Sequence, residues 1–128
     1  GVDLEVQQSI NEIVIADGNF PCESISQNVI RADGLSGTEL LQAILQLFPL
    51  DTYADRQIYL MEVVQGDNYN PEIWEQYTQI LEKSGEKFTI GYLERFAFYE
   101  RAKTAFAVVA SGEEALYANI ILKKGVVK

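Results

Sequence analysis

Short apolar, mostly β-branched runs alternate along this chain with segments whose apolar residues recur at helical spacing, and this alternation limits the fold more than any other feature. Residues 12–16 (EIVIA) are apolar at nearly every position, which suits a strand covered on both faces. Residues 28–32 (NVIRA), 57–64 (QIYLMEVV, ended by Gly66-Asp67-Asn68) and 105–110 (AFAVVA) read as strands too, with 87–92 and 116–122 as further short ones. Between them, Thr38 opens an amphipathic helix to about Phe48, with Leu40, Leu41, Ile44, Leu45 and Leu47 apolar and Pro49 stopping it. Residues 71–83 (PEIWEQYTQILEK) predict a second helix, with Pro71 near its first position, Glu72 and Glu75 early and Lys83 late, as the helix dipole prefers. A third helix covers 94–103, where Phe96, Tyr99 and Lys103 share one side and Phe98 and Ala102 another. Strands alternating with helices predict a layered α/β fold with a largely parallel sheet. Residues 1–8 are polar and weakly patterned, a turn or two of helix or a frayed end.

The 128 residues suit one domain with a real core, and no internal repeat or linker divides them. A formal charge of −9 argues against nucleic-acid or anionic-membrane binding, since both require a basic face, and no apolar run is as long as a membrane span. The single cysteine, Cys22, precludes an internal disulfide and fits a reducing compartment. Residues 1–10 lack the basic and apolar regions of a secretory signal, so a cytoplasmic location is expected. There is no histidine, which removes the commonest acid–base group near neutral pH and the commonest metal ligand together.

Polar residues concentrate in the last third, where two arginines, a glutamate, two tyrosines and an asparagine interrupt sequence that otherwise reads as core. Arg and Asn donate to hydroxyls, a carboxylate accepts from them, and an aromatic face covers the C–H side of a ring, so the mixture fits a polyol pocket. Tyr117 and Asn119, two apart in the last predicted strand, are expected on one face of it. Taken on their own, Arg95 and Arg101 read more readily as surface ion-pair partners of Glu94, Glu100 and Glu113 than as ligand contacts. Asp17, at the end of the first strand, stands where open α/β sheets place ligand groups, although position alone favours a turn cap. Trp74 lies on the apolar stripe of its helix and is expected in the core or a subunit interface. Arg31 and Asp33 read as a structural ion pair, and Cys22, with no histidine to activate it, as a packed thiol. The loop glycines Gly34 and Gly37 form no phosphate-binding pattern.

Several phrases resemble the L-fucose mutarotase and D-ribose pyranase family, and in particular its fucose mutarotase branch. They are Ile15-Ala16-Asp17-Gly18-Asn19-Phe20-Pro21, Ile30-Arg31-Ala32-Asp33-Gly34, Phe48-Pro49-Leu50-Asp51-Thr52-Tyr53 and Arg95-Phe96-Ala97-Phe98-Tyr99-Glu100-Arg101-Ala102. Ser111-Gly112-Glu113 and Tyr117-Ala118-Asn119-Ile120-Ile121-Leu122-Lys123-Lys124-Gly125-Val126 complete the set, in the family's order. The resemblance implies a single three-layer α/β/α domain over residues 1–128, with a mostly parallel or mixed sheet. It implies interconversion of the anomers of L-fucose or a related monosaccharide without metal or cofactor, in a homo-oligomer that is commonly a ring-shaped decamer with sites near subunit contacts. Asp17, Arg95, Tyr117 and Asn119 would hold the sugar, with Tyr117 close to the proton-transfer centre. The family's proton-donating histidine corresponds to Ser9, in a segment (residues 1–10) that departs from the family as a truncated or altered end would. Serine does not titrate near neutral pH, so either another pair, Glu100 with Tyr117, carries the protons, or the chain is a sugar-binding homologue without catalysis. A domain that uses only the fold is the third possibility.

Overall fold

The computed structural model describes residues 9–25, 28–64 and 71–125. Six strands form one sheet in the order β2-β5-β1-β6-β3-β4: β1 (Ser9–Ala16), β2 (Val29–Ala32), β3 (Ile58–Met61), β4 (Ile90–Leu93), β5 (Ala105–Ser111) and β6 (Ile120–Lys123). β5 pairs in parallel with both β1 and β2, β3 pairs in parallel with β4, and β6 lies antiparallel between β1 and β3. Five strands therefore run one way and β6 runs against them, so the sheet is mixed, as the resemblance implied.

Helices cover both faces. Ile13 and Ile15 of β1 point into one core with Leu40 and Leu41 of α2 (Gly37–Leu47) and Ile73, Tyr77 and Leu81 of α3 (Glu72–Ser84). Val14 and Ala16 point into the other, with Cys22 of α1 (Cys22–Ile25) and Phe98 and Ala102 of α4 (Arg95–Lys103). This is the physical reason residues 12–16 lack polar alternation: both faces are dry. Each of the large apolar side chains so buried contributes about 1.5–3 kcal/mol relative to exposure. The layers are helix, sheet, helix.

Two expectations are corrected, and one element was missed. The last strand begins at Ile120, because Tyr117 has φ 60°, in the left-handed region, and no strand passes through it. β3 ends at Met61, short of Val64. The single turn α1 was not anticipated, being too short to show a helical period. The readings of residues 1–8 and of Gly66-Asp67-Asn68 lie outside the described residues. No helix among the described residues is long and apolar enough to cross a membrane.

Candidate functional site

One edge of the sheet gathers the C-terminal ends of the parallel strands, the N-terminal end of β6 and the start of α4. A cavity of about 250 Å³ opens there, lined by Asp17 after β1, Met61, Glu62 and Val64 at and beyond the end of β3, Arg95 and Tyr99 of α4, and Leu116, Tyr117 and Asn119 before β6, with Asn19 and Phe20. Ligands of open α/β sheets bind at this edge, beyond the carboxyl ends of the strands. Four residues singled out from the sequence, Asp17, Arg95, Tyr117 and Asn119, meet here. A neighbouring cavity of about 460 Å³ is larger but holds only Asp17 of those four, beside Arg31, Asp33, Ser24 and Ser111. The smaller cavity, where convergent donors and acceptors meet aromatic rings, is the better candidate for a small polar ligand.

Asp17 is 7% exposed, and its carboxylate accepts the Asn19 N–H at 2.9 Å. Burial pushes its carboxyl above the usual aspartate range; N–H donation from Asn19, Phe20 and Ala118 opposes this, and the Glu113 charge adds to it. The Asp17 backbone N–H donates to Asn119 Oδ1 at 2.8 Å. That bond fixes the Asn119 amide, leaving its NH₂ as the end a ligand hydroxyl can use. Asp17 is thus more than a turn cap: it joins β1 to the loop before β6 and supplies a buried carboxylate to the cavity.

The segment before β6 is clamped from α3. Tyr77 is 1% exposed and its hydroxyl donates to the Ala118 carbonyl at 2.7 Å, while the Trp74 indole N–H donates to the Tyr117 carbonyl at 2.9 Å. Burial, with the Glu113 and Asp17 charges beside it, drives the Tyr77 phenol far above its ordinary pKa, so it remains a donor. The Tyr117 hydroxyl itself accepts the Val64 N–H at 3.2 Å. Tyr117 and Asn119 share the cavity as expected, but through a turn and not through strand alternation. Glu113 closes the loop after β5: its carbonyl accepts from Gly18 N–H at 2.9 Å, and its carboxylate from Gly37 N–H at 3.0 Å and Ala115 N–H at 3.1 Å.

Arg95 opens α4, where Glu94 caps the helix by accepting the Phe96 N–H. A cation in the first turn opposes the helix dipole, which gives Arg95 a reason other than helix stability to be there. Its guanidinium lies 4.9 Å from the Phe96 ring centre at the cavity mouth. Glu100 is not brought to Tyr117: it stands outside the cavity, 71% exposed, paired to Lys103 at 3.0 Å. Arg101 pairs with Glu12, bidentate at 2.9 Å, and not with Glu94, Glu100 or Glu113. Arg31 and Asp33 form an exposed pair at 3.7 Å, and Cys22 is buried against the α4 side of the sheet. Ser9 opens β1, and its side chain is outside the described residues. Among the described residues, no group of three or more His, Cys, Asp or Glu is placed to hold a metal ion. Glu62 went unremarked in the sequence, although a carboxylate near the end of an apolar run is the signal that marked Asp17. Tyr77 and Glu113 gave no comparable signal: Tyr77 lies within the helical pattern of residues 71–83, and Glu113 reads as an ion-pair candidate.

Residues 9–127 match the model of the RbsD / FucU transport protein family. A bovine (Bos taurus) protein named fucose mutarotase is 53% identical over 122 residues, spanning 91% of this chain and 79% of that one. An L-fucose mutarotase of Haemophilus influenzae is 50% identical over 117 residues, spanning 91% and 81%. Among solved structures, the fucose mutarotase of Streptococcus pneumoniae in complex with L-fucose superposes with a TM-score of 0.87 at 54% identity, covering 92% of this chain and 84% of that one.

Proposed function

The chain belongs to the RbsD / FucU transport protein family, and from that premise we propose that it interconverts the α and β anomers of L-fucose, or of a closely related monosaccharide, by acid–base ring opening. The observation that carries the proposal is identity above one half to a mutarotase solved with L-fucose, over nine tenths of this chain. A cavity with a buried carboxylate, a phenol, an amide and a guanidinium around it supports the same reading. In the reaction a base takes the proton of the anomeric hydroxyl as the C1–O5 bond breaks and the ring oxygen gains a proton. The open aldehyde turns about C1–C2 and closes on its other face, with the protons moving in reverse. Asp17, ionised, suits the base, and Tyr117 suits the group exchanging a proton at the ring oxygen. Arg95 and Asn119 are donors for the remaining hydroxyls. Exposed Phe96, Leu116 and Val64 beside the cavity are compatible with a homo-oligomer, including a ring-shaped decamer that covers them. The lone cysteine suits a reducing, cytoplasmic setting.

The absence of any histidine favours one second reading, a sugar-binding homologue that does not catalyse. Saturation-transfer NMR on the anomeric protons of L-fucose at neutral pH separates the two. Faster exchange with the chain present, lost in Arg95→Ala and strongly slowed but still measurable in Tyr117→Phe, is the expected result. Line broadening at an unchanged exchange rate would overturn it in favour of binding alone, and a gain of exchange in Ser9→His would then identify the missing proton donor.

A further inference from the structure

Tyr117 is, among the described residues, the one non-glycine with a positive φ, and it stands in the proposed proton-transfer position. A tyrosine in the left-handed region is strained and stays there only when its surroundings hold it. Its neighbours on both sides are tied: Ala118 through its carbonyl to Tyr77, and Asn119 through its side chain to the Asp17 N–H. The peptide that carries the strain has its own anchor, the 2.9 Å bond from the Trp74 indole N–H to the Tyr117 carbonyl. Trp74 is in turn fixed, in the first turn of α3, with its ring centre 5.2 Å from that of Tyr92 and its carbonyl accepting the Thr78 hydroxyl. The buried, charge-flanked Tyr77 explains the placement of Ala118. It does not explain why a second donor from the same helix reaches the carbonyl one residue earlier.

We propose that Trp74 is a positioning residue: its indole N–H holds the Tyr117 peptide in the left-handed conformation and so keeps the phenol at the cavity. Trp74 touches no reacting atom. It acts through one backbone carbonyl, and the indole supplies both the donor and a flat ring that Tyr92 immobilises. The functional part of this inference rests on the reaction proposed above.

The test uses Trp74→Phe, which keeps an aromatic ring and removes the donor, alone and combined with Tyr117→Phe. Losing one neutral hydrogen bond on a positioned group is expected to lower kcat for anomer exchange by roughly two- to tenfold, with KM changed less than about twofold if positioning alone is affected. In the Tyr117→Phe background the same substitution is expected to cost nothing further, since no phenol remains to be positioned. An equal loss in both backgrounds, or a lower melting temperature at unchanged kcat, would overturn the proposal and leave Trp74 a packing residue. A second readout needs no catalysis: the Val64 amide, which donates to the phenol, is followed by ¹H–¹⁵N NMR. Tyr117→Phe calibrates the shift caused by losing the acceptor, and Trp74→Phe is expected to move the resonance the same way; no movement overturns the proposal. Should the unmodified chain fail to speed anomer exchange, the proposed reaction falls while the amide measurement still decides the role of Trp74.

Discussion

Asp17 shows what burying one carboxylate costs in stability. Burial holds its carboxyl above the usual aspartate range, so between the unfolded and folded pKa values the native state binds more protons than the unfolded one. Stability therefore falls as pH rises through that window, and the ionised carboxylate is a cost above it. In the role of base proposed for it, a raised pKa also lies closer to the working pH, which favours proton transfer. Asp17→Asn keeps an acceptor for the Asn19 N–H and removes the charge. It is expected to melt higher than the parent at pH 8, with the difference closing as the pH drops toward about 4, while anomer exchange falls by about 10²-fold or more. Thermal melts across pH check this; a variant uniformly less stable at every pH would show that the buried charge is not the dominant cost. The acid limb of the parent's rate should likewise lie above the ordinary aspartate range. Asp17, Arg95, Tyr117 and Asn119 were legible because each is an anomaly in its local context or part of a family phrase, whereas Glu62 of the same cavity was not. Their relation was not, since Tyr117 and Asn119 meet through a backbone conformation that side-chain alternation cannot reveal.

The start of α2 couples a helix to that cavity. Ser36 accepts the Glu39 N–H at 3.2 Å and Glu39 accepts the Ser36 N–H at 3.1 Å, a capping box that draws the Glu39 carboxyl below its usual range. The next residue, Gly37, has no room for a Cβ, because the Tyr77 hydroxyl occupies its place. Ser36→Ala is expected to cost about 1 kcal/mol, close to 4 °C in melting temperature for a chain of this size, with anomer exchange within twofold of the parent. Gly37→Ala should behave differently. Alanine gains up to about 1 kcal/mol of helix propensity, yet its methyl pushes Tyr77 away from the Ala118 carbonyl and disturbs the segment holding Tyr117. A lower melting temperature together with a several-fold slower exchange is expected; a more stable variant with full activity would mean that Tyr77 yields without consequence. The bounds of α2, α3 and α4 were readable to within about two residues, since Pro49, Pro71 and the apolar stripes mark them. Strand ends were less so. Leu116 and Ala118 continue the apolar run of Ile120 and Ile121, and only the left-handed turn at Tyr117 breaks it.

Across the sheet, α4 links the cavity to a charged cluster near its far edge. Glu12 of β1 is 4% exposed and is gripped by Arg101 through two bonds of 2.9 Å, with Lys123 of β6 at 3.8 Å. The Arg101 guanidinium also lies 4.1 Å from the centre of the Tyr59 ring on β3. The cluster thereby joins three strands to the last turn of α4, whose first turn, about 9 Å away along the axis, presents Arg95 to the cavity. Replacing a buried pair with apolar groups is often neutral, whereas removing one partner strands the other charge. Arg101→Ala is therefore expected to cost about 3 kcal/mol, the lower end of the range for a broken buried pair because Lys123 remains near, or roughly 10 °C in melting temperature. Adding Glu12→Gln to that variant removes the stranded carboxylate and should recover at least half of the loss. Anomer exchange should slow in Arg101→Ala as α4 loosens and Arg95 drifts, and it should return with stability in the double variant. If the double variant is no more stable than Arg101→Ala, the cost came from the lost packing on Tyr59, and the pair contributes orientation to α4 with little electrostatic stability.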